Sequence, residues 1–285
     1  MSKHKKPAET TGHSWDGIEE LNNPLPRWWL YIFYASILFS LIYVVLFPAI
    51  PLPGGNTQGT LGWSSRGKIE TELAALEASR SAVLKDIEAI PVAELPNHPD
   101  LMRAAIEGGR SAFKMHCVQC HGSGAAGGNG YPNLNDDDWL WGGDMEAIHY
   151  TLTHGIRHPG DDNTRLSQMP AFGRDELLSA AEVNAVTEYV LQIGGKDANP
   201  ALAAQGAPIF AQQCASCHGD DGKGNRMFGA PNLTDAIWLY GGDRAAIHTT
   251  IFHARNGVMP AWNTRLSEAT IRKLTAYVHS LGGGE

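Results

Sequence analysis

Two copies of the pentapeptide C-x-x-C-H, at residues 117–121 and 214–218, contain all four cysteines of the chain. Residues at positions i, i+3 and i+4 of a helical turn share one face. Two thiols on that face can form thioethers with the vinyl groups of a haem, and the histidine beside them can bind its iron. The spacing therefore predicts two covalently bound haem c groups. The thioether positions are Cys117, Cys120, Cys214 and Cys217, and the first iron ligands are His121 and His218.

Zinc and redox-active dithiols also use paired cysteines. A zinc site made of the four thiols would leave both following histidines unexplained, and a redox dithiol would leave them equally unexplained. No cysteine remains for a disulfide or a thiolate copper centre. The duplication of the whole pentapeptide within a longer repeat favours haem over both alternatives.

Each iron needs a second axial ligand, and methionine is a frequent one in small c-type cytochromes. Met169 and Met259 each precede a proline at equivalent points of the two copies. Proline fixes its own φ and restricts the residue before it, which helps a loop hold a thioether against iron. Met169 and Met259 are therefore the predicted distal ligands. The competing candidates are the histidines that recur in both copies, namely His149, His154, His248 and His253.

The repeat extends on both sides of the haem motifs. Gly109-x-x-x-Phe113 and Gly206-x-x-x-Phe210 precede the two motifs at the same distance. Downstream, a P-N-L segment and the segments WLWGGD and WLYGGD recur at an offset of 99 residues. The tryptophans of the last two segments are expected either to line haem pockets or to pack in the core.

The second half of the repeat differs in length between the copies. The methionines are related by an offset of 90, so the first copy has nine extra residues between His154 and Met169. Each copy closes with a predicted helix. Ser179 and Glu182 form a capping box for the first, and the second starts near Ser267.

Residues 28–47 contain no charged side chain. Twenty residues of helix span ~30 Å, the thickness of the hydrocarbon core of a bilayer. A signal peptide has a shorter apolar core, so an uncleaved membrane anchor is the favoured interpretation. Basic residues precede the span and none follows it until Arg66. The positive-inside rule then predicts a cytoplasmic N-terminus and, in a bacterium, periplasmic haem domains.

A Pro/Gly/Ser-rich linker at residues 51–65 follows the span, and residues 67–90 form a predicted amphipathic helix. Its apolar stripe repeats every seven residues. The stripe could pack on a haem domain or on a partner subunit. Its four heptad positions are Ile69, Leu76, Val83 and Ile90.

The formal net charge is −8, which argues against nucleic acid as a partner. The acidic excess lies in the middle of the chain, around Asp136, Asp137 and Asp138. This segment is either an ordinary solvated surface or a docking site for a basic partner, since charge complementarity accelerates encounter.

Taken together, these features resemble the CcoP/FixP family, the di-haem cytochrome c subunits (subunit III) of cbb3-type cytochrome c oxidases. The most specific part is the arm HSWDGIEELNNPLPRWW at residues 13–29, which leads into one membrane helix and two haem repeats. The resemblance covers essentially all 285 residues.

The resemblance implies a mainly α fold, with one N-terminal transmembrane helix followed by two tandem class I cytochrome c domains. The expected division of the chain has five parts. They are a cytoplasmic arm at 1–27, the transmembrane helix at 28–50, a periplasmic linker with the amphipathic helix at 51–100, a first cytochrome c domain at 101–196 and a second at 197–285.

The resemblance also implies a function. Such a subunit of a bacterial inner-membrane oxidase accepts electrons from a soluble or membrane-held cytochrome c, or from the bc1 complex. It relays them through a mono-haem partner subunit to the b-type haems and copper of the catalytic subunit. It has no catalytic residues of its own, in keeping with the absence of a candidate acid, base or nucleophile. Contacts of the arm with small membrane subunits are expected around Trp15.

Three other functions remain open on the sequence. The chain could be an anchored di-haem cytochrome that serves a periplasmic dehydrogenase or another reductase. It could be a haem-based sensor, which would need an open iron site. It could also be a structural subunit that uses two haems only to fold.

Overall fold

The computed structural model describes residues 9–282. The chain divides into two compact units, Met1–Ser79 and Arg80–Glu285. The lysines of the N-terminal arm on which the predicted orientation partly depends, Lys3, Lys5 and Lys6, lie outside the described residues.

The first unit begins with a hairpin and an apolar helix. Strands β1 (Thr10–Trp15) and β2 (Ile18–Leu21) pair antiparallel around a turn at Asp16 and Gly17, which have φ angles of 52° and 83°. Asp-Gly is a favoured pair for such a turn because both residues tolerate positive φ.

Helix α1 (Arg27–Leu46) follows the hairpin and none of its residues is buried. It is long and apolar enough to cross a membrane, with a mean hydropathy of 2.1. The helix ends before Pro48, which cannot continue it. The short strands β3 (Pro51–Leu52) and β4 (Gly55–Asn56) form a second hairpin within the predicted linker.

Helix α2 (Ser65–Ala89) has an apolar stripe with two different environments. Ile69, Leu73 and Leu76 are exposed. At the other end, Ile87 is 1% exposed and packs in a small cluster of the second unit. The other buried members of that cluster are Leu95, Ala105, Met145 and Ala276.

Besides the end of α2, the described part of the second unit contains eight α-helices. They are α3 (Pro99–His116), α4 (Val118–His121), α5 (Met145–His154), α6 (Ala180–Ile193), α7 (Pro200–Gln213), α8 (Ala215–His218), α9 (Arg244–His253) and α10 (Glu268–His279). A 3-10 helix at Val92–Asn97 connects α2 to α3. The predicted capping box is present at the start of α6, where Ser179 and Glu182 bond reciprocally, and Ser267 caps α10.

The helices pair across the repeat. Helix α10 packs on α3 and α5, whereas α6 packs on α7 and α9. We call the first group, α3, α4, α5 and α10, the Cys117 half, and the second group, α6, α7, α8 and α9, the Cys214 half. The closing helix of each sequence copy therefore lies in the half that carries the other copy's haem motif. The predicted boundary between residues 196 and 197 follows the sequence repeat, and the packing runs across it.

The recurring glycine and phenylalanine before each haem motif explain these helix pairs. A Cβ on Gly109 of α3 would overlap the carbonyl oxygen of Lys273 in α10. In the other half, a Cβ on Gly206 of α7 would overlap the carbonyl oxygen of Ala185 in α6. Only glycine permits so close an approach of two backbones.

One turn after each glycine, a phenylalanine fills the helix interface. Phe113 lies 5.3 Å from Tyr277, and Phe210 lies 5.2 Å from Tyr189, measured between ring centroids. Both phenylalanines are at most 2% exposed. Tilted aromatic pairs at this distance add to the stabilisation from burial, so the two halves close their cores in the same way.

Candidate haem sites

Each C-x-x-C-H motif occupies a short helical turn that continues from a longer helix. Cys117 is the C-cap of α3 and Cys214 is the C-cap of α7, and the histidines end α4 and α8. The chain turns away at Gly122 and Gly219, with φ angles of 76° and 80°. The turn geometry therefore gives both motifs the shared face that their spacing predicts.

The first cysteine of each motif is at least partly shielded from solvent. Cys117 is buried and Cys120 is exposed, while Cys214 and Cys217 are half-buried. Burial, together with the neighbouring cysteine, raises the pKa of Cys117 to about 11, and the same causes raise the pKa of Cys214 to about 11. Redox-active dithiols and zinc ligands need a stabilised thiolate, so these environments suit a neutral thioether instead.

The ring of each motif histidine is oriented by a backbone carbonyl. His121 Nδ1 lies 3.1 Å from the carbonyl oxygen of Pro132, and His218 Nδ1 lies 3.1 Å from that of Pro231. Burial lowers the pKa of both histidines, with the backbone hydrogen bond acting in the opposite direction. A neutral ring that donates from Nδ1 presents the lone pair of Nε2, which is the arrangement of a metal-binding histidine.

The carbonyls of Pro132 and Pro231 are functional groups that the sequence analysis did not identify. Their signal was the recurring P-N-L segment, which was recognised as part of the repeat without a role. A backbone carbonyl leaves no residue-type signature, so only the fold shows that these segments orient the histidines.

Each predicted distal methionine lies in the half that carries the haem motif of the other sequence copy. Met259, from the second copy, packs against the core cluster of the Cys117 half, as does Trp262. Met169, from the first copy, packs against the core cluster of the Cys214 half, as does Phe252. The structure thus brings Met259 together with the first motif and Met169 with the second.

Hydrogen bonds from the opposite copy hold the backbone of each predicted distal methionine. Met259 and Ile156 exchange two backbone hydrogen bonds, of 2.9 and 3.0 Å. The side-chain amide of Asn256 accepts from the backbone N–H of Met169 at 3.2 Å and donates to its carbonyl at 3.3 Å. The backbone N–H and the carbonyl of both methionines are therefore held by hydrogen bonds.

The competing histidines have other partners. His149 Nε2 lies 3.0 Å from the carboxylate of Glu268, and His154 Nδ1 lies 3.1 Å from that of Asp161. His248 and His253 pack against the ring of Phe252. The geometry therefore favours the methionines as distal ligands.

The repeated aromatic residues divide into two classes. Trp139 packs against the core of the Cys117 half and Trp238 against that of the Cys214 half. Trp141 and Tyr240 instead contact the guanidinium groups of Arg165 and Arg255, at 5.2 and 5.3 Å from the ring centroids. The tryptophan that begins each segment therefore packs against a core, whereas the aromatic residue two positions later stacks with an arginine.

The donor set fits haem c on the evidence of the cysteine and histidine environments. In the described part of the chain, residues 9–282, no three His, Cys, Asp or Glu side chains lie close enough to hold a metal ion together. A group that brings its own four nitrogen ligands would need only two axial side chains, and each half contains one histidine and one methionine that could serve.

Two family models match this chain. Residues 7–53 match the family model described as the N-terminal domain of cytochrome oxidase-cbb3, FixP. Residues 104–190 and 201–278 match the model described as cytochrome c oxidase, cbb3-type, subunit III.

Curated relatives match along nearly the full length. The chain is 54% identical over 283 residues to the cbb3-type cytochrome c oxidase subunit CcoP of Cereibacter sphaeroides, covering 99% of this chain and 98% of the relative. It is 50% identical over 278 residues to subunit FixP of Rhizobium meliloti, covering 98% and 96%. It is 48% identical over 290 residues to subunit CcoP of Rhodobacter capsulatus, covering 99% and 98%.

Proposed function

The chain belongs to the CcoP/FixP family of cbb3-type cytochrome c oxidase subunits, and from this premise we propose that it binds two haem c groups and relays electrons through them. The resemblance seen in the sequence is thereby confirmed, as is the fold class of one N-terminal membrane helix followed by two cytochrome c domains. The chain is an electron-transfer subunit of an oxidoreductase complex.

The proposal of two haems rests above all on the equivalence of the two histidine environments. His121 and His218 have the same ring atom at the same distance from a proline carbonyl, and both are half-buried beside a cysteine that is at least partly shielded from solvent. When bound, each haem supplies a one-electron iron couple at a potential that its axial ligands and burial set.

We further propose that the axial ligands are exchanged between the copies. His121 and Met259 would hold the iron attached through Cys117, and His218 and Met169 the iron attached through Cys214. The support is the packing of each methionine against the core of that half. Burial of a thioether ligand away from water favours the ferrous state and a high potential, which suits acceptance of electrons from a cytochrome c.

Mass spectrometry of the two haem peptides can test the exchanged ligands. A Met259→Leu substitution opens one iron site, and hydrogen peroxide then oxidises that porphyrin in preference to the other. We expect the damaged haem on the peptide that contains Cys117, and, in a matched Met169→Leu variant, on the peptide that contains Cys214. The reverse pattern would show that each methionine serves the motif of its own copy.

The remaining steps of the electron route are also proposals. The subunit accepts electrons from a donor cytochrome c and passes them to a mono-haem subunit, and from there they reach the haem and copper centre of the catalytic subunit. Its own role is transfer without catalysis. The support is the family of oxidase subunits to which it belongs.

Purification of the intact complex from the native membrane tests this route. Two covalent haems per chain by pyridine haemochrome, with b-type haem and copper in the same complex, are expected. A complex without copper would favour the anchored cytochrome of another reductase. Carbon monoxide binding to the reduced wild-type subunit would favour a haem sensor, and potentials too low to accept electrons from cytochrome c would favour a structural role.

For the orientation, we propose that α1 crosses the bacterial inner membrane with the N-terminus in the cytoplasm and the haem domains in the periplasm. The support is the exposure and hydropathy of α1 and the position of the basic residues before it. Protease added to intact spheroplasts is expected to remove the C-terminal region and to spare an N-terminal tag. Loss of the N-terminal tag would indicate the reverse orientation.

The acidic segment at Asp136, Asp137 and Asp138 is our proposed dock for the donor. Replacing the three residues by asparagine is expected to slow oxidation of the donor at low ionic strength and to have little effect at high salt, because screening removes long-range attraction. An equal rate at low salt would exclude this surface.

A further inference from the structure

One arginine contacts both methionine loops at equivalent points. Arg157 donates from Nε to the carbonyl of Gly257 at 2.6 Å and from Nη1 to the carbonyl of Ser167 at 2.8 Å. Gly257 precedes Met259 by two residues, and Ser167 precedes Met169 by two residues. A single planar guanidinium therefore joins the two methionine loops. It contacts each loop two residues before the methionine.

The extra residues of the first copy hold Arg157 in place. Arg157 lies in the segment between His154 and Met169 that carries the nine-residue insertion. Its backbone N–H bonds the carbonyl of Arg165 at 2.9 Å, and the side chain of Arg165 returns to Thr151 of α5 at 2.8 Å. The insertion is thus anchored to the Cys117 half while its arginine reaches both loops.

The backbone of Arg157 is in a conformation that side chains with a Cβ rarely adopt. Its φ is 51°. Such a conformation is unfavourable and persists when the surrounding contacts determine it, which is common at functional sites. Here the conformation directs a half-buried side chain between two loops.

The equivalent position in the second copy provides a contrast. Residue 256, at an offset of 99 from Arg157, is Asn256. Within residues 9–282, its amide bonds only the backbone of Met169. The bridge between both loops therefore belongs to the arginine, which also adds a positive charge that the asparagine lacks.

We propose that Arg157 is a positioning residue that couples the two distal methionine loops and raises the reduction potentials of both haems together. This inference rests on the proposed binding of two haems. A fixed positive charge beside a haem destabilises the ferric state, which carries one more positive charge than the ferrous state. Two hydrogen bonds from one rigid fork also tie the geometry of one methionine loop to that of the other.

The test uses the full oxidase complex and four variants. Arg157→Gln removes the charge, and Arg157→Lys keeps the charge but not the planar fork. Asn256→Ala releases only the Met169 loop. Arg103→Gln is the matched control, because Arg103 is an exposed arginine of α3 that pairs with Asp100. The readouts are redox titration of both c-type haems and the red absorption band of ferric methionine-ligated haem.

In Arg157→Gln we expect both reduction equilibria to shift towards the oxidised form, by roughly three- to tenfold each, where tenfold is about 59 mV for a one-electron couple. Arg157→Lys is expected to restore the potentials towards wild type while the red band stays weakened. Asn256→Ala is expected to affect one haem only, and Arg103→Gln neither.

The proposal is overturned if the haem reduction potentials of Arg157→Gln equal those of Arg103→Gln, or if the potential of only one haem changes. If the Arg157→Gln complex fails to assemble, the Arg157→Lys variant provides the test instead. A red absorption band in Arg157→Lys as strong as that of the wild type would then overturn the coupling of the two loops. Haem content is measured separately by pyridine haemochrome. Fewer than two haems in the wild-type chain would contradict the proposed function, whereas two haems without a response would contradict only the role of Arg157.

Discussion

Gly109 and Lys273 touch backbone to backbone where α3 crosses α10, at a point where a Cβ on Gly109 would overlap the carbonyl oxygen of Lys273. The two residues belong to different copies of the repeat. The contact therefore closes the Cys117 half with a helix from the other end of the chain, and it leaves no room for any side chain at residue 109.

Gly109→Ala is expected to lower the free energy of unfolding by about 1–3 kcal/mol, because the added methyl forces the two helices apart. Gly108→Ala is the matched control, since its Cβ would meet only the flexible side chain of Lys273. Thermal unfolding of the purified complex, followed by c-type haem absorbance, measures both. Equal midpoints for the two variants would contradict the close crossing.

Substitutions of buried residues can show in which half each closing helix packs. Leu274 of α10 is fully buried in the Cys117 half, and Val190 of α6 is 5% exposed in the Cys214 half. Leu274→Ala is expected to cost about 2–5 kcal/mol. Mild proteolysis below the unfolding midpoint should then release the haem peptide with Cys117 first, although Leu274 belongs to the second sequence copy.

Val190→Ala is expected to give the opposite order, with the haem peptide of Cys214 released first. It removes a smaller side chain, so the loss of stability is smaller as well. Release of the same haem peptide in both variants would show that the cores do not exchange their closing helices.

A paired carboxylate should make the Cys214 half sensitive to acid. Glu188 of α6 accepts two hydrogen bonds from Arg244 of α9, at 2.6 and 3.0 Å, and one from the backbone N–H of Asn199 at 2.7 Å. The bonds from Arg244 hold the pKa of Glu188 below its ordinary value, with burial opposing them. The pair contributes stability above the unfolded-state pKa of about 4.3, and this contribution is lost as the pH falls through the lower folded-state pKa.

Glu188→Gln is therefore expected to lower the unfolding midpoint at pH 7 by about 2–4 °C, which corresponds to a loss on the order of 1 kcal/mol for an ion pair that is partly open to water. Below pH ~4 the wild type and the variant should converge. Unfolding midpoints from pH 3 to pH 8 give the comparison. A constant difference across this range would show that the ionised carboxylate is not the stabilising form.

Asp138 has the opposite pH dependence. Burial and the neighbouring carboxylate of Asp235 raise the pKa of Asp138 to about 6. Because this folded-state pKa exceeds the unfolded-state value of about 3.9, the stability of the fold falls as the pH rises from about 3.9 to about 6. Asp138→Asn is expected to stabilise the protein above that pH by about 1 kcal/mol after solvent screening.

Unfolding midpoints at pH 4 and pH 8 test this assignment. The advantage of Asp138→Asn should be fully present at pH 8 and small at pH 4, close to the unfolded-state pKa of about 3.9. Asp137→Asn is a suitable comparison, since Asp137 is exposed on the same segment. An advantage at pH 4 as large as that at pH 8 would contradict a raised pKa at Asp138.

The sequence by itself determined the local chemistry of this protein. The spacing of Cys117, Cys120 and His121 sets a helical face, and the uncharged residues of α1 set a membrane-spanning length, because both properties depend only on neighbours along the chain. The same holds for the capping box at Ser179. The repeat was equally visible, since equivalent segments keep equivalent residue types.

The tertiary structure alone decided which closing helix and which methionine loop pack in which half. Helices α6 and α10 are equivalent in the repeat, so each presents the right kind of apolar face to α3 and to α7, and local pattern cannot choose between them. Long-range contacts make the choice, such as the pairing of Met259 with Ile156. The bridge from Arg157 to both methionine loops is a further consequence, because it requires the two loops to meet in space.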